Sequence, residues 1–157
     1  MCIFVQLMYC MKKFKNKYDV VVVGGGPSGS MAAYEIAKSG YSVCMLEKDR
    51  DIGMPVRCGE AIGNHGLTQF FKPKKEWIAT EIKAAELISP NGQNIKVPFV
   101  HETGFILNRR IFDYDVSRYA VNSGAEVYTK SYVKGLIIDD KTDFVRGVIV
   151  NHFDKEI

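Results

Sequence analysis

Metal-binding and cross-linking side chains are scarce in this chain. Four cysteines, three histidines and one tryptophan are spread over 157 residues. Cys2, Cys10, Cys44 and Cys58 form no Cys-x-x-Cys pair, and no histidine stands at ligand spacing from them. That excludes a zinc site and a disulfide framework, and implies free thiols in a reducing compartment. Long apolar runs are also missing. The most apolar stretch is MCIFVQLMYCM at the N-terminus, short of the roughly 18 residues a bilayer span needs. Its basic residues follow the apolar run, the reverse of a secretory signal. Neither charge sign dominates. The net charge is +3, with no basic stripe interleaved with aromatics, so a nucleic-acid partner is not expected. The basic runs Lys12–Lys17 and Lys72–Lys75 read as a solvated tail and a solvated loop. There is no internal repeat and no low-complexity tract. Residues 1–17 are expected to be a disordered extension or the product of a misplaced start, with the domain beginning at Tyr18.

What the chain does have is a β-α-β signature. Tyr18 to Gly24 (YDVVVVG) is a continuous β-branched run, the pattern of a strand buried on both faces of a parallel sheet. A glycine-rich turn follows, then a helix over 30–39 stopped by Gly40, then a short apolar strand over 41–47. Residues 48–64 carry four glycine or proline breakers and no period, so they read as a working loop. A helical turn is expected over 67–71 and a polar connection over 72–80. Residues 81–108 read as an inserted antiparallel meander: strands 83–89 and 94–99 flank Pro90-Asn91-Gly92, and 104–108 is the third. A helix over 110–123, a third parallel strand over 125–131 and a hairpin of 133–139 with 144–150 complete the reading. The fold class is α/β, Rossmann-like, with a small antiparallel β-meander.

Gly24, Gly26 and Gly29 fit G-x-G-x-x-G. The first permits a sharp turn off the strand, the second lets backbone approach a pyrophosphate, and the third lets helix pack closely on strand. The helix N-terminus offers free N–H groups and a partial positive charge to phosphate. Glu47 lies 18 residues after Gly29 and ends the next strand. A carboxylate there accepts hydrogen bonds from ribose hydroxyls and repels a 2′-phosphate. These features specify a dinucleotide, without separating FAD from NAD.

Pro55-Val56-Arg57-Cys58-Gly59-Glu60 and Gly104 to Asp113 (GFILNRRIFD) add a more specific pattern. With GGGPSG, it resembles the geranylgeranyl reductase family of flavoproteins, relatives of the p-hydroxybenzoate hydroxylase-like FAD enzymes, from Tyr18 to about Val150. The resemblance implies FAD as cofactor. It places Ser28 in the phosphate turn, Glu47 on the adenosine ribose, Cys58, Gly59 and Ala61 beside the flavin, Arg109 near the cofactor and Val133 against the adenine. Ala61 departs from the glycine often found there. Cys58 takes a part in reducing an alkene, and the adjacent Arg57 is a cation able to lower a thiol pKa. The substrate implied is a polyprenyl chain on a glycerophospholipid or related lipid, with electrons from an external donor. The enzyme would be cytoplasmic, with peripheral membrane contact. The family's fold also needs more parallel strands and a later Gly-Asp segment, absent after Phe144, so the chain reads as a truncated N-terminal part of an FAD-binding domain. Two other classes fit the same residues: another flavoprotein of that superfamily, such as an aromatic monooxygenase or halogenase, and a non-catalytic nucleotide-binding fragment.

Overall fold

The structure, a computed structural model, describes residues 14–15, 17–98, 103–153 and 155–156. Most of the expected N-terminal extension, with Cys2 and Cys10, lies outside the described residues, as do Phe99 and His101. In chain order the elements are β1 (Val20–Val23), α1 (Pro27–Lys38), β2 (Val43–Leu46), β3 (Ala61–Gly63), α2 (Asn64–Thr68), β4 (Ile78–Ile82), β5 (Ala84–Ile88), β6 (Asn94–Pro98), β7 (Gly104–Leu107), α3 (Arg109–Asn122), β8 (Glu126–Tyr128), β9 (Ser131–Ile138), β10 (Val145–His152) and β11 (Lys155–Glu156).

The β-branched run of β1 pairs in parallel with β2, and β2 with β8, giving the order β1-β2-β8. All four residues of β2 are buried, as a central parallel strand should be. Small residues let α1 and α3 lie close against one face: Ala33, Ala37 and Ala120 meet Val43, Met45 and Ala125. The opposite face is covered by the long hairpin β9–β10, where Val150 joins Cys44, Leu46 and Tyr128.

Helix α1 starts at Pro27, three residues before the predicted start. Proline suits that first position, because its missing N–H would be unpaired there and its φ is already helical. The change matters for function, since it puts Ser28 and Gly29 in the first helical turn.

The expected meander is corrected by the pairing. The hairpin β5–β6 forms as predicted around Asn91-Gly92, but β7 does not join it. β7 runs between β3 and β4 in a separate antiparallel sheet. Two misread segments explain this. The loop over 48–64 ends in a strand, β3, and the polar connection over 72–80 holds a 3₁₀ turn, Lys75–Trp77, and the start of β4. The gain for the chain is burial. This sheet, α2 and α3 enclose Leu67, Trp77, Phe105, Leu107, Phe112 and Val116. Trp77 is wholly buried, with edge-on contacts to Phe71 and Phe112. Its indole N–H donates to Asp115 Oδ2 at 2.9 Å, so the one polar atom of the ring is satisfied. Trp77 is therefore a packing residue of this second core.

Candidate dinucleotide and flavin site

The glycine turn has the geometry its sequence implies. Gly24 leaves β1 at φ +101°, a conformation open to glycine. Its N–H stays tied to Leu46 O at 2.8 Å, which fixes the turn to the sheet. A Cβ on Gly29 would sit 2.0 Å from Gly24 O, so helix and strand touch backbone to backbone. Gly26 is the N-cap of α1, with no side-chain cap, and a Cβ there would meet nothing within 4 Å. The space before the helix is thus open, and no acidic residue occupies the first turn. The first N–H groups of any helix lack intrahelical partners. Here they face that opening, which suits an anion.

Glu47 extends from the end of β2 onto the same turn. Its Oε2 accepts from Gly25 N–H at 2.7 Å and its Oε1 from Asp49 N–H at 2.9 Å. Each carboxylate oxygen keeps a second lone pair for a hydroxyl. The carboxylate is held by backbone and aimed at the glycine turn, the placement a ribose partner requires.

Two cavities open beside this turn. One of about 230 Å³ is polar, with Gly26, Glu47, Arg57, Cys58, Arg109 and Asp113 in its wall. The other, about 300 Å³, is mainly apolar, with Ser28, Met31, Ala61, Leu67 and Phe71 among its lining, and again Cys58 and Arg109. Cys58 and Arg109 therefore stand where the two cavities meet. Cys58 is exposed. Gly59 leaves open space beside it, and Ala61 begins β3 opposite Ile106. Val133 lies in β9 and packs against Cys44, Leu46, Tyr128 and Val150; it lines neither cavity.

The cation beside Cys58 is not the one the sequence suggested. Arg57 forms an ion pair with Asp49 at 2.8 Å, which holds the Asp49 carboxyl below its usual range. Arg109 takes the place near the thiol. Its guanidinium is gripped by Asp113 through two contacts of 2.7 and 2.8 Å. That grip, with a smaller share from Cys58, raises its pKa against the opposing effect of burial. The Arg109–Asp113 pair spans one helical turn, four residues apart, a spacing readable in advance.

Glu60 was not anticipated. It adopts φ +62°, unusual for a residue with a side chain. Its O accepts from Leu107 N–H at 2.9 Å, its Oε1 from Arg109 N–H at 3.3 Å, and its N–H donates to Cys58 Sγ at 3.4 Å. One residue thus ties the Cys58 loop to β7 and to the first turn of α3. Gly53 does similar work from the other side, since a Cβ there would lie 3.0 Å from Arg109 O and 3.1 Å from Asp113 Cβ. No local pattern announces either contact. Among the described residues no cluster of three or more metal-ligating side chains occurs. No helix among them is long and apolar enough to cross a membrane.

Residues 22–78 match the model of the NAD(P)-binding Rossmann-like domain. The chain is 43% identical over 129 residues to a digeranylgeranylglycerophospholipid reductase of Methanocella arvoryzae, covering 80% of this chain and 33% of that one. The same-named protein of Methanosarcina mazei is 40% identical over 145 residues, 90% of this chain and 35% of that one. By sequence, the chain is similar to these reductases. A solved structure agrees: a geranylgeranyl bacteriochlorophyll reductase-like protein of Thermoplasma acidophilum superposes with a TM-score of 0.77 at 37% identity, over 88% of this chain and 36% of that one. A myxobacterial FAD-dependent halogenase shares the fold, with a TM-score of 0.67 at 21% identity, over 89% of this chain and 34% of that one. The chain spans about a third of the length of the curated relatives it matches.

Proposed function

We propose that this chain is the FAD-binding part of a reductase that saturates isoprenoid double bonds in polyprenyl membrane lipids. The observation that carries the cofactor assignment is the Glu47 carboxylate, held by Gly25 and Asp49 N–H at the mouth of an open glycine turn. The residues fit a dinucleotide. Gly26 leaves room for a diphosphate before α1, with Ser28 in the helix's first turn, and Glu47 has lone pairs free for ribose hydroxyls. The likeness at about 40% identity supports a geranylgeranyl lipid as substrate, because those relatives carry that reductase name.

Gly26, Ser28 and Glu47 would hold FAD, which when reduced by an external donor would furnish hydride chemistry for one alkene carbon, the other taking a proton. The chain's own residues prepare that event. Arg109, locked by Asp113, offers a fixed positive charge at the junction of the polar and apolar cavities. Gly59 and Ala61 keep side-chain bulk away from a flat ring. Cys58 stands at the same junction, beside the apolar wall of Met31, Leu67 and Phe71, where its thiol takes part in the alkene reduction. Val133 is kept as a contact of the adenine end. A lipid substrate puts the enzyme in the cytoplasm with peripheral contact to a membrane.

The test is a flavin absorbance titration of the purified chain, followed by assay with a geranylgeranyl lipid and a reduced donor. Binding shifts the visible flavin band, and Cys58→Ser lowers alkene reduction without abolishing the shift. A chain that leaves the flavin spectrum unchanged at millimolar concentration contradicts the cofactor. Flavin binding with no turnover in the presence of the relatives' remaining sequence favours a non-catalytic binding fragment.

A further inference from the structure

Glu60 holds a backbone conformation that its residue type does not favour. Its φ is +62°, in the region that glycine and asparagine occupy most readily. A residue needed only to turn the chain there would be glycine. The side chain has a use of its own. Helix α3 begins without a side-chain cap: Asn108 at its N-cap makes no capping bond, and no acidic residue lies in the first turn. Glu60 Oε1 supplies the acceptor from 49 positions earlier in the sequence, at 3.3 Å from the Arg109 N. A carboxylate suits that place, because the unpaired N–H groups and the helix dipole both favour negative charge. The main chain of the same residue reaches the thiol, its N–H donating to Cys58 Sγ at 3.4 Å. Cys58, Glu60 and Arg109 then share one wall of the apolar cavity. A cap needs the carboxylate and not the sulfur contact, and a turn needs the φ and not the carboxylate. Glu60 joins all three.

We propose that Glu60 is a positioning residue, which holds the Cys58 thiol and the Arg109 guanidinium together as one unit where the two cavities meet. Its N–H fixes the sulfur. Its carboxylate fixes the end of α3 from which Arg109 projects, and Asp113 sets the direction of the guanidinium through contacts of 2.7 and 2.8 Å. The purpose of the unit rests on the flavin reading of this site, but its geometry does not. Glu60 acts on the thiol in two opposed ways. By charge, its carboxylate offsets the cation beside the sulfur; by position, it keeps that cation there. The two effects have opposite signs in a variant, so an experiment can separate them.

Alkylation of Cys58 in the full chain is that experiment. Iodoacetate is an anion and iodoacetamide is neutral, so the ratio of their rates at Cys58 reports the cation beside the sulfur. Site-resolved mass spectrometry keeps Cys58 apart from the other three cysteines, and slow labelling of buried Cys44 certifies that a variant is folded. Arg109→Gln sets the ratio without the cation. Glu60→Gly fits the φ and lacks the carboxylate; Glu60→Asn fits it with a side chain one methylene shorter. Loss of charge alone would raise the ratio in both. Loss of positioning lowers it by about two- to fivefold, toward the value of Arg109→Gln, and this is the expected result. Glu60→Gln keeps the acceptor and holds the ratio at or above that of the parent chain. A ratio unchanged or raised in both Glu60→Gly and Glu60→Asn overturns the inference. So does an equal fall in Glu60→Gln, or a parent ratio no higher than that of Arg109→Gln. No flavin enters the series, so a chain that fails to bind FAD and a Glu60 that positions nothing are separate results.

Discussion

The segment from Val20 to Leu46 and the hairpin from Ala84 to Pro98 are built from equally regular sequence, yet they end in different states. In the first, valines alternate with nothing polar, glycines permit backbone contact, and alanines on α1 let helix and sheet close over Val43 and Met45. In the second, Leu87 and Ile95 pair on one face around a strong Asn-Gly turn, but among the described residues that face stays exposed. Good local pattern makes an element; only a partner surface makes it part of a core. The site sits on the finished side of this divide. The glycine turn and Glu47 are held by the parallel sheet, and Arg109 by a helix packed on it.

That contrast can be broken or sharpened in several ways. The largest expected effect is in thiol reactivity. Cys44 is 2% exposed, and burial pushes its pKa up to about 12. At pH 8 it labels at least about 10³-fold more slowly than a free cysteine, while exposed Cys58 labels promptly; site-resolved mass spectrometry after timed maleimide exposure reads the ratio. Equal labelling would mean that the face under β9–β10 is open. Next comes Trp77→Ala, which empties the second core and costs about 3–5 kcal/mol in urea unfolding. Gly29→Ala drives a Cβ against Gly24 O and costs about 1–3 kcal/mol or more, with loss of nucleotide binding. By contrast, Leu87→Ser on the bare hairpin changes stability by no more than about 0.5 kcal/mol.

The predictable and unpredictable parts divide along the same physical line. The β-α-β unit, Gly24, Gly26, Gly29 and Glu47 were legible because each follows from a short-range rule about backbone freedom or strand ends. The Asn91-Gly92 hairpin was legible for the same reason. The pairing of β7 with β3 and β4 was not, because it depends on contacts between residues far apart in sequence, and β3 has only three residues. Arg57 was adjacent to Cys58 in sequence and so looked like its partner, yet Asp49 claims it. The roles of Glu60 and Gly53 come from how a loop lies on α3, which no local pattern records.

Acid provides a smaller test of the second core. Asp115 titrates below its usual value because Lys74, and then the Trp77 N–H, hydrogen-bond its carboxylate. The stability from these contacts is complete above the unfolded value, about 3.9, and is lost as pH falls through the lower folded value. Asp115→Ala leaves the buried indole N–H without its acceptor, costs about 1–3 kcal/mol near neutrality, and flattens the dependence of the unfolding midpoint on pH below about 4.

The most direct measurement is calorimetric titration of FAD into the full chain and into Glu47→Gln. A carboxylate that grips the ribose contributes a charge-assisted bond of about 1.5–3 kcal/mol. The account predicts one FAD per chain and affinity lower by about 10- to 100-fold in the variant. Equal affinity in the two proteins, or no heat with either, would contradict it.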